Sequence, residues 1–190
     1  MNEPTFKPQK LDGFELAEGE DDQCAAARAG LPKRKTFNFT LREEVCLDTV
    51  REILSMYTNA DARHWHVALE FTEMHLGEAV SASFVAHVTN FLRALRLERS
   101  CPFNYLSFGC KHITSDELAM MSALQTACLG RGYEYEDAMS YLAQSGRYAK
   151  LDRAVMALAG LLSEPDRAGA SVGRRDGVHD ARQRLSSKLH

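Results

Sequence analysis

The sequence lacks any apolar run long enough to span a membrane. Its longest such runs cover only a few residues, whereas a membrane-spanning helix needs about 20. The chain opens with Met1 to Pro4 and is acidic over its first 22 residues, whereas a secretory signal starts with basic residues and continues into an apolar stretch. We therefore expect a cytoplasmic protein without a membrane partner.

Common catalytic signatures are also missing. The sequence contains no phosphate-binding G-x-x-x-x-G-K-[ST] loop, no G-x-G-x-x-G dinucleotide fingerprint, no G-x-S-x-G nucleophile turn and no H-E-x-x-H zinc motif. Nucleotide hydrolysis, dinucleotide redox chemistry, serine hydrolysis and zincin proteolysis therefore have little support.

Cysteine is sparse and irregularly spaced. The chain has five cysteines, at positions 24, 46, 101, 110 and 128, which is an odd number without a repeating interval. In a reducing compartment such residues are ordinarily free thiols that pack as small hydrophobic side chains. We expect no disulfide framework, and a chain of 190 residues can bury a core without one.

Charge is distributed unevenly along the chain, although the net charge is only −3. Residues 1–32 carry seven acids and three bases, and residues 166–190 carry six bases and three acids. Both ends have few large apolar residues, so burial there cannot offset the entropy lost on ordering. This composition predicts a disordered leader over 1–35, a single globular domain over 36–163 and a disordered basic tail over 164–190.

Two capping boxes mark helix starts within the predicted domain. Thr40 with Glu43, and Thr114 with Glu117, have the T-x-x-E spacing in which both side chains satisfy free backbone amides. Helical spacing of apolar residues also predicts a helix whose inward stripe contains Phe84, Val88 and Phe91. The predicted helices cover 41–57, 79–97, the segment from Thr114 to Gly130, 134–144 and the segment from Tyr148 to Leu162.

Residues 61–76 fit a strand better than a helix. Alternation places four apolar side chains on one face, namely Trp65, Val67, Leu69 and Phe71. Two further short strands are predicted at 36–39 and 103–108. The resulting fold is mixed α/β and helix-rich, with a small, mostly parallel sheet covered by helices. If 61–76 is helical instead, the alternative is an all-α bundle.

Two groups of residues are candidate metal ligands, with zinc as the metal they would suit. On a strand, His64 and His66 point the same way, with Asp61 or Glu70 nearby as a carboxylate ligand. On a helix the two histidines lie about 200° apart and cannot share an ion. The alternative explanation is a half-exposed strand face that happens to contain histidines.

The second candidate metal group is Cys101, Cys110 and His112. Thiolate and imidazole are good zinc ligands, but the C-x8-C-x-H spacing lacks the short C-x2-C element that makes a zinc motif specific. Ordinary buried thiols are the simpler explanation of the two cysteines.

The segment from Thr114 to Gln144 has the outline of a helix-turn-helix, but its second helix is acidic. It opens with Glu134, Glu136 and Asp137 and contains no Lys or Arg, so DNA phosphates would be repelled. Nucleic acid is therefore a disfavoured partner for this segment.

These observations predict a non-enzymatic regulatory or adaptor protein that acts through protein–protein contact, since no catalytic group of residues stands out. One alternative is a zinc-type enzyme or sensor that uses His64 and His66, or Cys101, Cys110 and His112. A second alternative is a DNA-associated transcriptional regulator. It would bind DNA through the basic tail and the nearby helix residues Arg147, Lys150 and Arg153.

Overall fold

A computed structural model describes residues 24–163, and every regular element in that range is helical. The predicted tail, 164–190, and residues 1–23 of the predicted leader lie outside the described range. The elements are α1 (Ala25–Arg28), a 3-10 helix (Arg34–Phe37), α2 (Leu41–Asn59), α3 (Arg63–Leu76), α4 (Glu78–Glu98), α5 (Ser115–Leu129), α6 (Gly132–Ala143) and α7 (Ala149–Leu162).

The prediction of a mixed α/β fold is wrong for the described residues, and the all-α alternative fits them. The predicted strand over 61–76 is helix α3, and residues 103–108 are irregular. At 36–39 the chain leaves the 3-10 helix instead of forming a strand. Between residues 24 and 163, β-type pairing is limited to one isolated antiparallel bridge between Lys33 and His112.

The misreading of α3 has a physical cause. This helix packs against both α2 and α4, and half-buried apolar side chains flank its buried stripe and widen its apolar arc. Ala68, Phe71 and Leu76 are buried, while Trp65 and Leu69 are half-buried at its sides. A wide apolar arc contains residues at i+2 as well as at i+3 and i+4, which imitates the alternation of a strand.

Both predicted capping boxes are present. Thr40 Oγ1 accepts a hydrogen bond from the Glu43 amide at 3.3 Å, and the Thr40 amide donates to Glu43 Oε2 at 2.7 Å. Thr114 and Glu117 make the same reciprocal pair at the start of α5, at 3.1 and 2.9 Å. Helices α2 and α5 therefore begin where the sequence predicts.

The core lies between α4 and the helices around it. Helix α4 packs on α2, α3 and α7, and α5 packs on α6 and α7. The predicted inward stripe of α4 is confirmed, because Phe84, Val88 and Phe91 are fully buried. Phe108, from the irregular segment before α5, meets Phe71 edge-on with ring centroids 5.0 Å apart.

Some residues ahead of position 36, where the sequence predicts that the domain begins, contact the packed structure. Ala26 is buried, and the Pro32 carbonyl accepts a hydrogen bond from the Ile113 amide at 3.0 Å. Among the helices of residues 24–163, none combines the length and the apolar composition that crossing a bilayer requires.

Candidate functional site

The buried Arg51 on α2 makes four hydrogen bonds through its side chain. Its guanidinium makes two hydrogen bonds to the Glu117 carboxylate, at 2.7 and 3.0 Å. It also donates to the backbone carbonyls of Cys110 and His112, at 2.8 and 2.7 Å. Burial alone would lower the pKa of Arg51, but the charge and hydrogen bonds of Glu117 raise it above its ordinary value.

Arg99, at the end of α4, fixes the irregular segment between α4 and α5, which Arg51 also contacts. Arg99 donates to Asp116 Oδ1 at 2.8 Å and also to the carbonyl of Leu142 at the end of α6. Asp116 Oδ2 in turn accepts hydrogen bonds from the backbone and side-chain nitrogens of Asn104, both at 2.8 Å. Glu117 also accepts a hydrogen bond from the Leu106 amide, at 3.0 Å.

These two buried pairs are structural. Within residues 24–163, every buried side-chain nitrogen and oxygen has a hydrogen-bond partner. The charges of Arg51 and Arg99 are matched by carboxylates, and the remaining donors bind backbone carbonyls. Such fully bonded groups fix a loop in place and offer no unpaired atom to a substrate.

The predicted metal pair His64 and His66 is not brought together. Both residues lie on α3, two positions apart, so they point about 200° away from each other. His64 Nδ1 lies 2.7 Å from Glu52 Oε2 on α2, whereas His66 is exposed. The strand geometry on which this hypothesis depended is absent from α3.

The second predicted metal group is also dispersed among other partners. Cys101 Sγ donates to Gln144 Oε1 at 2.9 Å, and His112 Nδ1 lies 3.5 Å from Cys24 Sγ. Burial raises the pKa of the Cys110 thiol. In the part of the chain that the structure describes, no three His, Cys, Asp or Glu residues are grouped so that they could hold a metal ion.

The outward side of α6 is the most distinctive surface of the described chain. The inward side of this helix packs through Met139, Leu142 and Ala143, all buried. The opposite side carries two tyrosines among acids, and Tyr133 is 85% and Tyr141 52% exposed. We define the α6 outer face as Tyr133, Glu134, Glu136, Asp137, Ser140 and Tyr141, which are all exposed.

Helix geometry keeps these side chains together. Tyr133, Asp137 and Tyr141 are spaced at i, i+4 and i+8, so they follow one side of the helix over about 12 Å. Tyr135 has a different role, because its hydroxyl donates to Asp152 on α7 at 2.7 Å. Burial and then this hydrogen bond raise the pKa of Tyr135. That contact orients α6 so that its acidic side faces outward.

The α6 outer face carries net negative charge. Helix α6 contains Glu134, Glu136 and Asp137 and no Lys or Arg. The preceding Arg131 pairs with Glu134 at 3.0 Å in an exposed position, which neutralises only part of that charge. The basic residues of the DNA hypothesis lie elsewhere. Arg147 is exposed just before α7, Lys150 and Arg153 are exposed near its start, and the tail lies outside the described residues.

The acids Glu134, Glu136 and Asp137 were identified from the sequence, but only as an argument against DNA binding. The exposed tyrosines of α6 were not identified. The signal that could have found the tyrosines was present, because Tyr133 and Tyr141 do not belong to the inward stripe of α6, which contains Tyr135, Met139 and Leu142.

Comparisons of this chain with protein-family models, with curated proteins and with solved structures find no match.

Proposed function

We propose that this protein is a non-enzymatic regulatory or adaptor protein that binds a partner protein through the α6 outer face. The observation that carries the proposal is the exposure of Tyr133 and Tyr141 on one acidic side of a packed helix. The buried polar groups of the described chain are bonded to one another, so this surface is the best candidate for contact with another molecule.

Exposed tyrosines are well suited to protein recognition. A tyrosine offers a large, rigid contact area with few rotatable bonds and a hydroxyl that can remain bonded at an interface. Tyrosine is accordingly enriched both at interfaces and among the residues that contribute most to binding energy. An 85% exposed ring such as Tyr133 gains the most from being covered, because nearly all its apolar area still faces water.

The acids around the tyrosines indicate the chemistry of the partner. Glu134, Glu136 and Asp137 repel phosphates, which disfavours nucleic acid at this surface. They attract a protein surface that carries Lys or Arg beside an apolar pocket able to receive a tyrosine ring. Binding should therefore weaken as salt concentration rises, because exposed charges are screened.

Site-specific photo-crosslinking tests whether this face contacts a partner. One full-length variant carries p-benzoylphenylalanine in place of Tyr133, and a control carries it in place of Met74, which is 55% exposed on α3. Irradiation in a lysate of the source cells should give one protein adduct of defined mass with the first variant only. That adduct should disappear when Glu136→Lys and Asp137→Lys are added.

The proposal fails if Tyr133 and Met74 give the same adducts, or if the variant at Tyr133 gives none. With the partner identified from the adduct, Tyr133→Ala should weaken its binding by about 30-fold or more, as truncation of a central interface tyrosine does. Met74→Ala should leave the affinity unchanged. Equal affinities for the two variants, measured by calorimetry, would also exclude this surface.

A further inference from the structure

The last turn of α7 ends close to the start of α6. Cys128 Sγ, in the last turn of α5, donates to the Ala159 carbonyl in the last turn of α7, at 3.3 Å. Helix α6 begins at Gly132, and Tyr133 is five residues after Cys128, so it lies at most about 18 Å from it. The chain that follows α7 therefore continues from a point near the end of the α6 outer face that carries Tyr133.

The chain beyond α7 is long enough to reach every part of that face. Residues 164–181 alone would span roughly 60 Å when extended, whereas α6 is about 18 Å long. A segment attached to the same chain meets the face at an effective concentration of about 1 mM. A weak contact is therefore enough to keep the face occupied in many of the molecules.

The end of the printed sequence has the chemistry that this face attracts. We call residues 181–190 the basic segment, and it contains no Asp or Glu. Its bases and large apolar residues are Arg182, Arg184, Lys188, Leu185 and Leu189. Guanidinium groups pair with carboxylates and also stack on tyrosine rings, while leucines cover apolar area.

The acids of the α6 outer face can accept such a segment. Glu136 and Asp137 form no ion pair with the bases of residues 24–163. Glu134 is paired with Arg131, but both side chains are more than half exposed, so another base can replace Arg131 at little cost. Leu129, 62% exposed at the end of α5, adds apolar area near Tyr133.

We propose that the basic segment docks on the α6 outer face of its own chain and competes there with the partner protein. The docking depends on the complementary charges, the exposed tyrosines and the position at which α7 ends, whereas the competition also rests on the function proposed above. A partner can bind only the molecules in which the segment has left the face, so the segment lowers the apparent affinity for the partner.

Photo-crosslinking within the purified full-length protein tests the docking without any partner. The variant with p-benzoylphenylalanine in place of Tyr133 is irradiated at low protein concentration, and linked peptides of the monomer are identified by mass spectrometry. Peptides from residues 181–190 should be linked to α6, and their yield should fall as salt concentration rises. The variant with the same group in place of Met74, on α3, should give no such link.

Charge reversal separates specific docking from a general attraction between opposite charges. Adding Arg182→Glu and Arg184→Glu should lower the yield of the link by about fivefold, as the loss of two exposed ion pairs would. The matched control is Arg147→Glu with Lys150→Glu, an equal change in net charge at exposed residues outside the tail, which should leave the yield unchanged. Equal losses in the two variants, or no link at all, would overturn the docking. So would a link found only in covalent dimers, because the occupant would then be a second copy of the chain.

The competition is tested with the same two charge-reversed variants in the lysate experiment. With the crosslinker at Tyr133, Arg182→Glu with Arg184→Glu should give about threefold more of the partner adduct, since the face is free in more molecules. Equal adduct yields from the two variants would overturn the competition. The two proposals also fail separately. Absence of the internal link removes the docking and leaves the partner, whereas an internal link with no partner adduct from any variant removes the partner and leaves the docking.

Discussion

Arg51 illustrates how a single buried charge can organise a small helical protein. It joins α2 to α5 through Glu117 and to the segment between α4 and α5 through two carbonyls. A buried ion pair gains little over an apolar pair of the same shape, but removing one partner leaves an unpaired charge in the interior. Arg51 is therefore needed for stability because Glu117 would otherwise be a buried charge without a counterion.

We expect Arg51→Met to lower the free energy of unfolding by about 3–5 kcal/mol, because the Glu117 carboxylate would lose its counterion in a buried site. Adding Glu117→Gln removes that charge, so the double variant should be more stable than the sum of the single effects by about 1–3 kcal/mol. The free energies of unfolding of Arg51→Met, Glu117→Gln and the double variant are measured by urea titration at neutral pH, monitored by circular dichroism.

An exposed pair provides the matched control. Arg63 and Asp61 also form a short ion pair, at 2.8 Å, but the Arg63 side chain is 76% exposed. Arg63→Met should leave the urea midpoint unchanged, because water replaces the lost contact. Strictly additive effects of the Arg51 and Glu117 substitutions would contradict the coupling described above.

At the scale of the elements, the two capping boxes differ in what surrounds them. Thr40 is exposed, and its hydroxyl caps α2 alone. Thr114 is 4% exposed, and its hydroxyl also donates to the Asn104 carbonyl at 2.8 Å. The same sequence motif therefore has a local role at α2 and a tertiary role at α5.

Replacing each threonine by alanine separates these roles. Thr40→Ala should cost about 1 kcal/mol of stability, as loss of an ordinary helix cap does. Thr114→Ala should cost about 2–3 kcal/mol, because it also leaves the half-buried Asn104 carbonyl without that partner. Chemical denaturation of the two variants side by side gives the difference, and equal losses would show that the Asn104 bond contributes nothing.

The elements also show where sequence reasoning succeeds. The two helix starts with capping boxes were predicted, and α4 carried its stripe where Phe84, Val88 and Phe91 indicated. Helix α3 was misread because the half-buried residues Trp65 and Leu69 flank its buried stripe, and together with Phe71 they imitate the alternation of a strand. The predicted strand at 103–108 failed because its backbone groups are bonded by Asp116, Glu117 and other side chains, which no local pattern reveals.

At the scale of the whole molecule, stability depends on one apolar core. Phe91→Ala removes a fully buried ring from α4 and should cost about 3–5 kcal/mol, a large share of the roughly 5–15 kcal/mol that stabilises a typical domain. Leu97→Ala, at a 62% exposed position of the same helix, is the control and should have little effect. Two thermal melting curves compare them, and coincident midpoints would contradict the placement of the core.

The candidate sites also depend on the whole molecule. The α6 outer face could have been found from sequence, since its tyrosines do not fit the inward stripe of their own helix. A contact between distant segments could not, because Lys33 and His112, for example, become neighbours only through the bridge that joins their two segments. Spacing along a chain identifies residues on one element, whereas a site shared by distant segments appears only when those segments meet.

The irregular segment between α4 and α5 has one more consequence. Surface loops usually accept insertions and deletions, because few contacts fix their backbone. Here the backbone is fixed at several points by the side chains of Arg51, Arg99, Asp116 and Glu117. One inserted residue would displace the carbonyls and amides from these fixed side chains. The least regular stretch of the described chain therefore cannot change its length without losing these hydrogen bonds.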